Sequence, residues 1–383
     1  MTAEPTARPD GCGPAKVRAM RRSRSRFDAR PFLLSGVLAA VLFACSRSES
    51  PPAPPLPGHA RLSFLAVGDT GSPPQFGSRF LSTQLAVARG MEAEDRRAPV
   101  HAFVLLGDNF YYKGLEESEL VLRVRENVVR PYCRFLSLGA PRSKEVAEAC
   151  EVPPNERRPV PFLVVLGNHD YESPESPALQ AETVPRFVAN WRLAVRPVEV
   201  IGLAPGVDLV LFDSESLVEG GDPEPLRTAL AATSGPWRIL AAHHPIAGAD
   251  GDEEGPPSQE KHYREEIQKL VAEAGTPVQL FLSGHVHNLQ VLEEAPPAPA
   301  LNVIAGAGSR PRPVRGQSPH RRFALAEPGF ARVDLVTLRG EERLVASLYV
   351  TGSLPLFSGG EPTLVARFSV DRAGQVRDEL AER

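Results

Sequence analysis

Five short polar clusters along the chain each lie within three residues of the end of a short apolar run. Their sequences are Gly68-Asp69-Thr70-Gly71, Gly107-Asp108-Asn109-Phe110-Tyr111, Gly167-Asn168-His169-Asp170, His243-His244-Pro245 and Gly284-His285-Val286-His287. Short apolar runs bounded by glycine or polar residues predict buried strands. In open α/β sheets, ligands bind where the carboxyl ends of the strands meet. The pattern therefore predicts an α/β fold in which clusters far apart in sequence converge on one site.

The rest of the chain alternates apolar runs with amphipathic stretches, as α/β folds do. Strands are predicted at 62–67, 100–106, 160–166, 209–212, 237–242 and 278–282, and in a strand-rich final third at 301–304, 331–336, 344–350 and 364–370. Apolar residues at the helical spacing predict one helix after the first strand and another at 259–274. Proline-rich or charge-rich inserts at 137–158, 250–257 and 311–319 are predicted to be surface loops.

The clusters contain the types of side chain that bind metal ions. Carboxylates suit hard cations and can bridge two of them, whereas imidazoles suit iron, zinc and manganese. Five of the nine histidines lie in the clusters, and the chain has only four cysteines, so a cysteine-rich structural zinc site is not indicated. Each cluster alone is compatible with an ordinary turn or with polar packing. Their occurrence together predicts a catalytic pair of metal ions.

Taken together, the clusters resemble those of the calcineurin-like metallophosphoesterases, and they look most like the small purple (tartrate-resistant) acid phosphatases of that group. Most of the superfamily opens with Asp-x-His, whereas this chain has Asp69-Thr70-Gly71, without the histidine. The purple enzymes carry a tyrosine three residues after the bridging aspartate, and Tyr111 stands three residues after Asp108. The stretches GDNFYYKG and GHVHNLQ also resemble this type.

The resemblance implies a four-layer α/β/β/α sandwich and a ligand for each position of a two-metal site. The first metal, Fe(III) in the family, would be bound by Asp69, Asp108, Tyr111 and His287. The second metal, which is Fe(II), Zn or Mn in the family, would be bound by Asp108, Asn168, His243 and His285. In this scheme Asp108 bridges the two metals, and His244 supports the site without binding either of them.

Such a site predicts hydrolysis of phosphate esters. Two cations clamp the phosphate and generate hydroxide, which attacks phosphorus in line with the leaving alkoxide. The leaving group then needs a proton donor, and His169, adjacent to Asn168 but not assigned to a metal, is the candidate general acid. Asp170 either holds His169 in place or serves as a capping or turn residue.

A phosphomonoesterase of the acid phosphatase kind is the leading hypothesis. The alternative within enzymes is a phosphodiesterase or nucleotide hydrolase of the same superfamily. A third possibility is a binding protein that has kept the fold and lost the chemistry. A protein of that third kind should lack some ligands, yet all seven ligand positions and His169 are present.

The first 45 residues are predicted to be a signal peptide. Five arginines between residues 21 and 30 precede an apolar run at 31–44, which ends at Cys45. The run is too short to span a bilayer as a helix, and residues 42–45 resemble a bacterial lipobox, whose cysteine is lipidated. The alternatives are a plain signal peptide cut nearby and a retained N-terminal anchor, and Met20 is an alternative start.

In this interpretation residues 46–59 form a proline-rich tether, residues 60–375 the catalytic domain and residues 376–383 a tail. We expect the protein to be exported and to reach the membrane through the lipid on Cys45. It would then be anchored to the cell envelope, at the outer membrane or facing the periplasm.

Charge and cysteine content add two expectations. The formal net charge is −4, and the segment before Cys45 is basic, so the remainder is more acidic still. An acidic protein without a basic stripe is not expected to bind nucleic acid, and a small phosphate ester is the expected partner. Cys133 and Cys150 could form a disulfide in an oxidising compartment or could be two unrelated thiols.

Overall fold

The computed structural model describes residues 60–74, 79–193, 197–247, 257–352 and 361–381. The predicted signal peptide with Cys45 and the predicted tether lie outside these residues, as does nearly all of the insert at 250–257. Within the described part of the chain, no helix is both long enough and apolar enough to cross a membrane.

Two β-sheets form the centre of the fold, with strands numbered in chain order. The first sheet contains β1 (Leu62–Val67), β2 (Ala102–Leu106), β3 (Phe162–Val165), β4 (Trp191–Leu193), β12 (Gly329–Leu338), β13 (Glu341–Val350), β14 (Thr363–Val370) and β15 (Val376–Asp378). Its spatial order is β15-β14-β13-β12-β1-β2-β3-β4, in which β1 to β4 run parallel to one another.

The second sheet contains β5 (Val198–Ala204), β6 (Val207–Phe212), β7 (Trp237–Ala241), β8 (Leu280–Ser283), β9 (Leu289–Glu293), β10 (Leu301–Ala305) and β11 (Arg321–Leu325). Its spatial order is β11-β9-β10-β8-β7-β6-β5. The strands β6, β7, β8 and β10 are parallel neighbours. Each sheet therefore contains four adjacent parallel strands, which form one side of the first sheet and the centre of the second.

The α-helices cover the outer faces of the sheets. They are α1 (Arg79–Arg97), α2 (Leu120–Arg123), α3 (Arg130–Tyr132), α4 (Ser176–Ala178), α5 (Ser214–Val218), α6 (Glu224–Ala232) and α7 (Pro257–Glu273), with several 3-10 turns between them. Residues of α1, α2 and α3 pack on the first sheet, and residues of α5, α6 and α7 pack on the second.

Side-chain alternation along the strands separates the layers. Phe64 and Ala66 of β1 belong to the core between the two sheets, whereas Leu65 and Val67 belong to the core beneath α1. This period of two is the consequence of the extended backbone, which points successive side chains to opposite faces. Because both faces of β1 are buried, the strand reads as a continuous apolar run. The predicted α/β/β/α sandwich is confirmed.

All ten predicted strands and both predicted helices are present, with boundaries that differ by at most three residues. The strands that the sequence did not reveal are β4, β5, β9, β11 and β15. Among them β4 and β15 are three residues long, and β5 and β11 are edge strands without full burial. Since β15 pairs with β14, the sheet extends past the boundary predicted at residue 375.

The insert at 137–158 differs from its prediction as a surface loop. It contains three short 3-10 turns, and the side chain of Val146 is completely buried in the core beneath the first sheet. A disulfide joins Cys150 of the insert to Cys133, which directly follows α3. The proline and charge content of the segment is typical of a surface loop, so the sequence did not indicate this packing.

Candidate metal centre

The five polar clusters lie at the carboxyl ends of the parallel strands, as predicted. Asp69 and Asp108 each follow their strand, β1 and β2, by two residues, and Asn168 follows β3 by three. His243 and His285 follow β7 and β8 of the second sheet by two residues. The two sheets therefore contribute opposite halves of one site.

Tight backbone turns bring these side chains together. Asp69, Asp108 and His285 have φ angles of 59°, 53° and 65°, a left-handed conformation that is uncommon outside glycine. Such strain is concentrated at functional sites, where the surrounding structure holds it in place. A Cβ on Gly167 would lie 2.3 Å from Asp108 Oδ1, so only glycine allows the loop after β3 to approach this carboxylate.

The first set of donor atoms, here named the Tyr111 group, consists of Asp69, Tyr111 and His287. The Tyr111 hydroxyl donates to Asp69 Oδ1 at 2.9 Å and lies 3.1 Å from His287 Nε2. His287 Nε2 is also 3.4 Å from Asp69 Oδ1. His287 Nδ1 lies 2.9 Å from the carbonyl oxygen of Arg310. Since a carbonyl only accepts, Nδ1 carries the proton and the lone pair of Nε2 faces the group.

The second set, named the His243 group, consists of Asn168, His243 and His285. Asn168 Oδ1 lies 3.1 Å from His243 Nε2 and 3.1 Å from His285 Nδ1, and those two nitrogens are 3.2 Å apart. His243 Nδ1 is held 2.8 Å from the carbonyl oxygen of Leu106 and donates to it, so the Nε2 lone pair points inward. Three donor atoms therefore converge on one point, as metal ligands do.

Asp108 faces both groups. Its Oδ1 lies 3.5 Å from His243 Nε2, and its carboxylate also interacts with the Tyr111 hydroxyl. The potential ligand atoms of Asp69, Asp108 and His287 lie within 4.8 Å of one another, and so do those of His243, His244 and His285. The oxygen and nitrogen donors fit two cations, and Asp108 faces both groups of donors.

Burial disfavours the ionised forms of Asp69 and Tyr111 in the Tyr111 group. The pKa of Asp69 is raised well above its ordinary value, because the carboxyl is buried and because Asp108 lies close to it. The pKa of Tyr111 is raised by burial and by the same two carboxylates. Like charges in a buried site are stabilised only by a compensating charge, which a metal cation supplies.

His243 and His287 of the site are held neutral. Burial lowers the pKa of His243 to about 4, and burial together with the charge of Arg312 lowers that of His287 to about 3. A neutral imidazole is the form that binds metals. Burial by itself would raise the pKa of Asp108, but the charges of His243 and His169 when protonated, together with the hydrogen bond from Tyr111, outweigh it and the net pKa is lowered.

His169 lies beside both groups. Its backbone N–H donates to Asp108 Oδ1 at 3.1 Å, and its ring meets that of Tyr111 edge-on at 4.8 Å between centroids. The ring Nδ1 is 2.8 Å from the carbonyl oxygen of Tyr112. That carbonyl, rather than Asp170, orients the imidazole.

Asp170 has the second of its two predicted roles, that of a turn residue. Its carboxylate accepts from the backbone N–H groups of Asn109, Phe110 and Gly167 and from the side-chain amide of Gln180. These bonds tie the loop after β2 to the loop after β3, so Asp170 fixes the spacing between Asp108 and Asn168. Burial raises the pKa of Asp170 to about 7, with a further contribution from Asp108.

Three residues near the site were not found from the sequence. Ser214 Oγ lies 3.0 Å from His244 Nδ1 and accepts from the backbone N–H of His244, and Glu215 lies 3.5 Å from His244 Nε2. Both residues begin α5, which has no motif. The guanidinium of Arg310 packs over the rings of Tyr111 and Tyr112. The contacts of His244 agree with a supporting role, although its nitrogen is near enough to the His243 group to bind metal.

Comparison with known proteins identifies the family. The family model described as calcineurin-like phosphoesterase matches residues 62–289, more than half of the chain. No curated protein matches the chain.

Among solved structures, GAP50, the anchor in the inner membrane complex of Plasmodium, is 18% identical with a TM-score of 0.53, over 76% of this chain and 84% of that one. Purple acid phosphatase PPD1 from yellow lupin (Lupinus luteus) seeds is 15% identical with a TM-score of 0.51, over 83% of this chain and 55% of that one. PhoD is 12% identical with a TM-score of 0.52, over 86% of this chain and 72% of that one. These likenesses show a shared fold, and the family match shows that the chain belongs to the calcineurin-like phosphoesterases.

Proposed function

We propose that this protein is a binuclear metallophosphoesterase that hydrolyses phosphate monoesters in the manner of the purple acid phosphatases. The observation that carries the proposal is the position of Tyr111, whose hydroxyl lies within 3.1 Å of both Asp69 Oδ1 and His287 Nε2. A buried phenol between a carboxylate and an imidazole lone pair is a ligand set for a hard, highly charged cation.

Gly71 explains why a tyrosine takes this place. A Cβ on Gly71 would lie 2.1 Å from the carbonyl oxygen of Asn109, so no side chain fits there. The Gly71 carbonyl accepts from the backbone N–H of Tyr111 at 2.7 Å, and the Gly71 N–H donates to the Asp108 carbonyl at 3.1 Å. The close approach that excludes a histidine at residue 71 is therefore the same contact that positions Tyr111.

In this proposal the first cation is held by Asp69, Asp108, Tyr111 and His287, and the second by Asp108, Asn168, His243 and His285. The first is proposed to be Fe(III) and the second Fe(II), Zn or Mn. When bound, the two cations supply Lewis-acid polarisation of the phosphate and activation of water.

His169 is proposed to protonate the leaving alkoxide from Nε2. Its Nδ1 is held by the carbonyl of Tyr112, which orients the ring and leaves Nε2 as the nitrogen that can transfer a proton. The bond from its backbone N–H to Asp108 keeps the imidazole at a constant distance from the proposed bridging carboxylate.

Two other functions compete with this one. A phosphodiesterase or nucleotide hydrolase would use the same metal centre on different esters. A non-catalytic binding protein is also a real alternative, since the structural neighbour GAP50 is described as an anchor. The complete donor set favours an enzyme, because nothing in a binding function requires two convergent groups of buried ligands.

A substrate panel separates these functions. The purified protein would be assayed with phosphomonoesters, phosphodiesters and nucleotides at acidic and neutral pH, with its metal content measured alongside. Two metals per chain with a preference for monoesters supports the proposal. A preference for diesters or nucleotides supports a phosphodiesterase or nucleotide hydrolase instead. Fewer than two metals under every loading condition, with no turnover, supports the binding protein.

We also propose that the protein is exported and anchored to the cell envelope by a lipid on Cys45. The sequence of residues 31–45 supports this, through its apolar run and its lipobox-like end. Mass spectrometry of protein extracted from membranes tests it. A lipidated N-terminal cysteine is expected, and an unmodified residue upstream of Cys45 would rule it out.

A further inference from the structure

Arg310 lies in the loop after β10, and three aromatic rings determine where its guanidinium sits. The guanidinium carbon is 4.7 Å from the ring centroid of Tyr112, 5.1 Å from that of Tyr111 and 5.1 Å from that of Phe80. Stacking of this kind suits the planar, weakly hydrated guanidinium and restricts its rotation. The positive charge of Arg310 is therefore held in a fixed position.

No carboxylate within the described residues forms an ion pair with this charge. Arg310 is only partly exposed, and its Nε is buried without a hydrogen-bond partner. Two buried arginines elsewhere in the fold are paired with carboxylates, Arg134 with Asp95 and Arg332 with Asp334. A buried donor left without an acceptor costs stability. The charge of Arg310 has no such partner among the described residues and is suited to an anionic ligand.

The position of Arg310 points to the proposed metal centre. Its backbone carbonyl holds His287 Nδ1, and the ring of Tyr111 beneath its guanidinium belongs to the same donor group. Tyr112, which also lies beneath the guanidinium, holds the imidazole of His169 through its carbonyl oxygen. Arg310 is thus adjacent to both the Tyr111 group and the proposed proton donor.

We propose that Arg310 binds non-bridging oxygens of the substrate phosphate and that its charge favours monoesters over diesters. This inference rests on the proposed phosphoesterase function. The guanidinium fork matches two phosphate oxygens, and hydrogen bonds between ionised partners are the stronger ones. A monoester is a dianion when fully ionised and a diester is a monoanion, so one fixed cation attracts the monoester more strongly.

The test compares Arg310→Gln and Arg310→Lys with the unmodified protein. The kcat/KM values for p-nitrophenyl phosphate and bis(p-nitrophenyl) phosphate are measured, together with the affinity for inorganic phosphate by calorimetry. Arg310→Gln should lower kcat/KM for the monoester and the affinity for phosphate by roughly 10- to 100-fold, the value of a hydrogen bond to a charged group. The kcat/KM for the diester should fall by less. Arg310→Lys keeps the charge without the planar fork, so its values should lie between those of Arg310→Gln and the unmodified protein.

Arg315→Gln is the matched control, because Arg315 is an exposed arginine of the same loop. It should leave kcat/KM for both substrates and the affinity for inorganic phosphate unchanged. Metal content and visible spectrum are recorded for every variant, because loss of metal would mimic loss of substrate binding. If Arg310→Gln loses metal, the comparison is decided by Arg310→Lys with its metals intact.

The two proposals can fail separately. If the unmodified protein binds metals but hydrolyses neither ester, the proposed function is wrong. If it hydrolyses the monoester and the Arg310 variants keep both phosphate affinity and the monoester-to-diester ratio, only the role of Arg310 is wrong. A parallel fall of both quantities, with metals retained, supports it.

Discussion

The Tyr111 group and the His243 group differ in the charge of their donor atoms. The Tyr111 group combines the carboxylate of Asp69 with a phenol, and burial raises the pKa of both. The His243 group has one amide and two imidazoles, and the pKa of His243 is lowered to about 4. The first group must lose protons to become a ligand set, whereas His243 in the second is already neutral. This difference is the basis on which we propose a trivalent cation for the first group and a divalent one for the second.

The two groups also differ in the neighbouring residues that contact their donor side chains. The His243 group is backed by His244, which Ser214 and Glu215 contact from α5. The Tyr111 group is covered by the guanidinium of Arg310. Asp108 faces both groups, so a change there should affect both, while other changes should affect one.

Asp108→Asn should have the largest effect. It removes the negative charge that faces both groups, so both cations should be lost along with activity. Even residues that only support metal ligands are worth roughly 10- to 100-fold in metal affinity, so the loss should exceed about 100-fold. Metal analysis after dialysis measures it. Retention of both metals would show that Asp108 is not the bridge.

His169→Ala should remove activity and leave both groups occupied, because the imidazole is assigned to neither cation. Loss of a general acid lowers kcat by roughly 10²- to 10⁴-fold. The effect should be smaller for an ester whose leaving group is a weak base, which needs less protonation. Steady-state kinetics with alkyl and nitrophenyl esters, alongside metal analysis, measures this. Full activity with an alkyl ester would exclude the role.

Gly71→Ala should weaken the Tyr111 group alone. Its Cβ would lie 2.1 Å from the Asn109 carbonyl oxygen, and the loop carrying Tyr111 would have to move. We expect a loss of about 1–3 kcal/mol in unfolding free energy and less of the first metal. Gly202→Ala is the control, because a Cβ there meets nothing within 4 Å. Denaturant titration and metal analysis would detect a difference, and identical behaviour of the two variants would contradict the steric argument.

The smallest expected effect is a difference in pH dependence between the groups. The folded metal-free protein has raised pKa values at Asp69 and Tyr111, so these groups hold protons that a cation must displace. Metal affinity of the Tyr111 group should therefore rise with pH, with proton release on binding. His243, with its pKa near 4, has no proton to lose at neutral pH. Calorimetry in buffers of different ionisation enthalpy measures the protons released, and equal release at both groups would contradict the assignment.

Much of the site could be predicted from the sequence because local features mark its residues. Asp69, Asp108 and His285 each follow a glycine at the end of an apolar run, and the parallel sheet brings such strand ends together. The central strands were found for the same reason, since burial on both faces makes their sequences continuously apolar.

The remaining features depend on contacts between distant segments. Ser214 and Arg310 reach the site from segments without a motif, and no local pattern indicates what they touch. Asp170 could have been either a partner of His169 or a turn residue, and only the packing of Asn109 against it decides between the two. The half-exposed edge strand β5 lacks the burial pattern that identified the central strands.

The role of Tyr111 as a metal ligand is tested most directly by comparing the visible spectrum and metal content of the protein with those of Tyr111→Phe. We expect two metals including iron, a broad visible band in the unmodified protein, and loss of the band in the variant while the metal of the His243 group is retained. A colourless protein with two other metals, or a band unchanged by Tyr111→Phe, would contradict the assignment of Tyr111 as a ferric ligand.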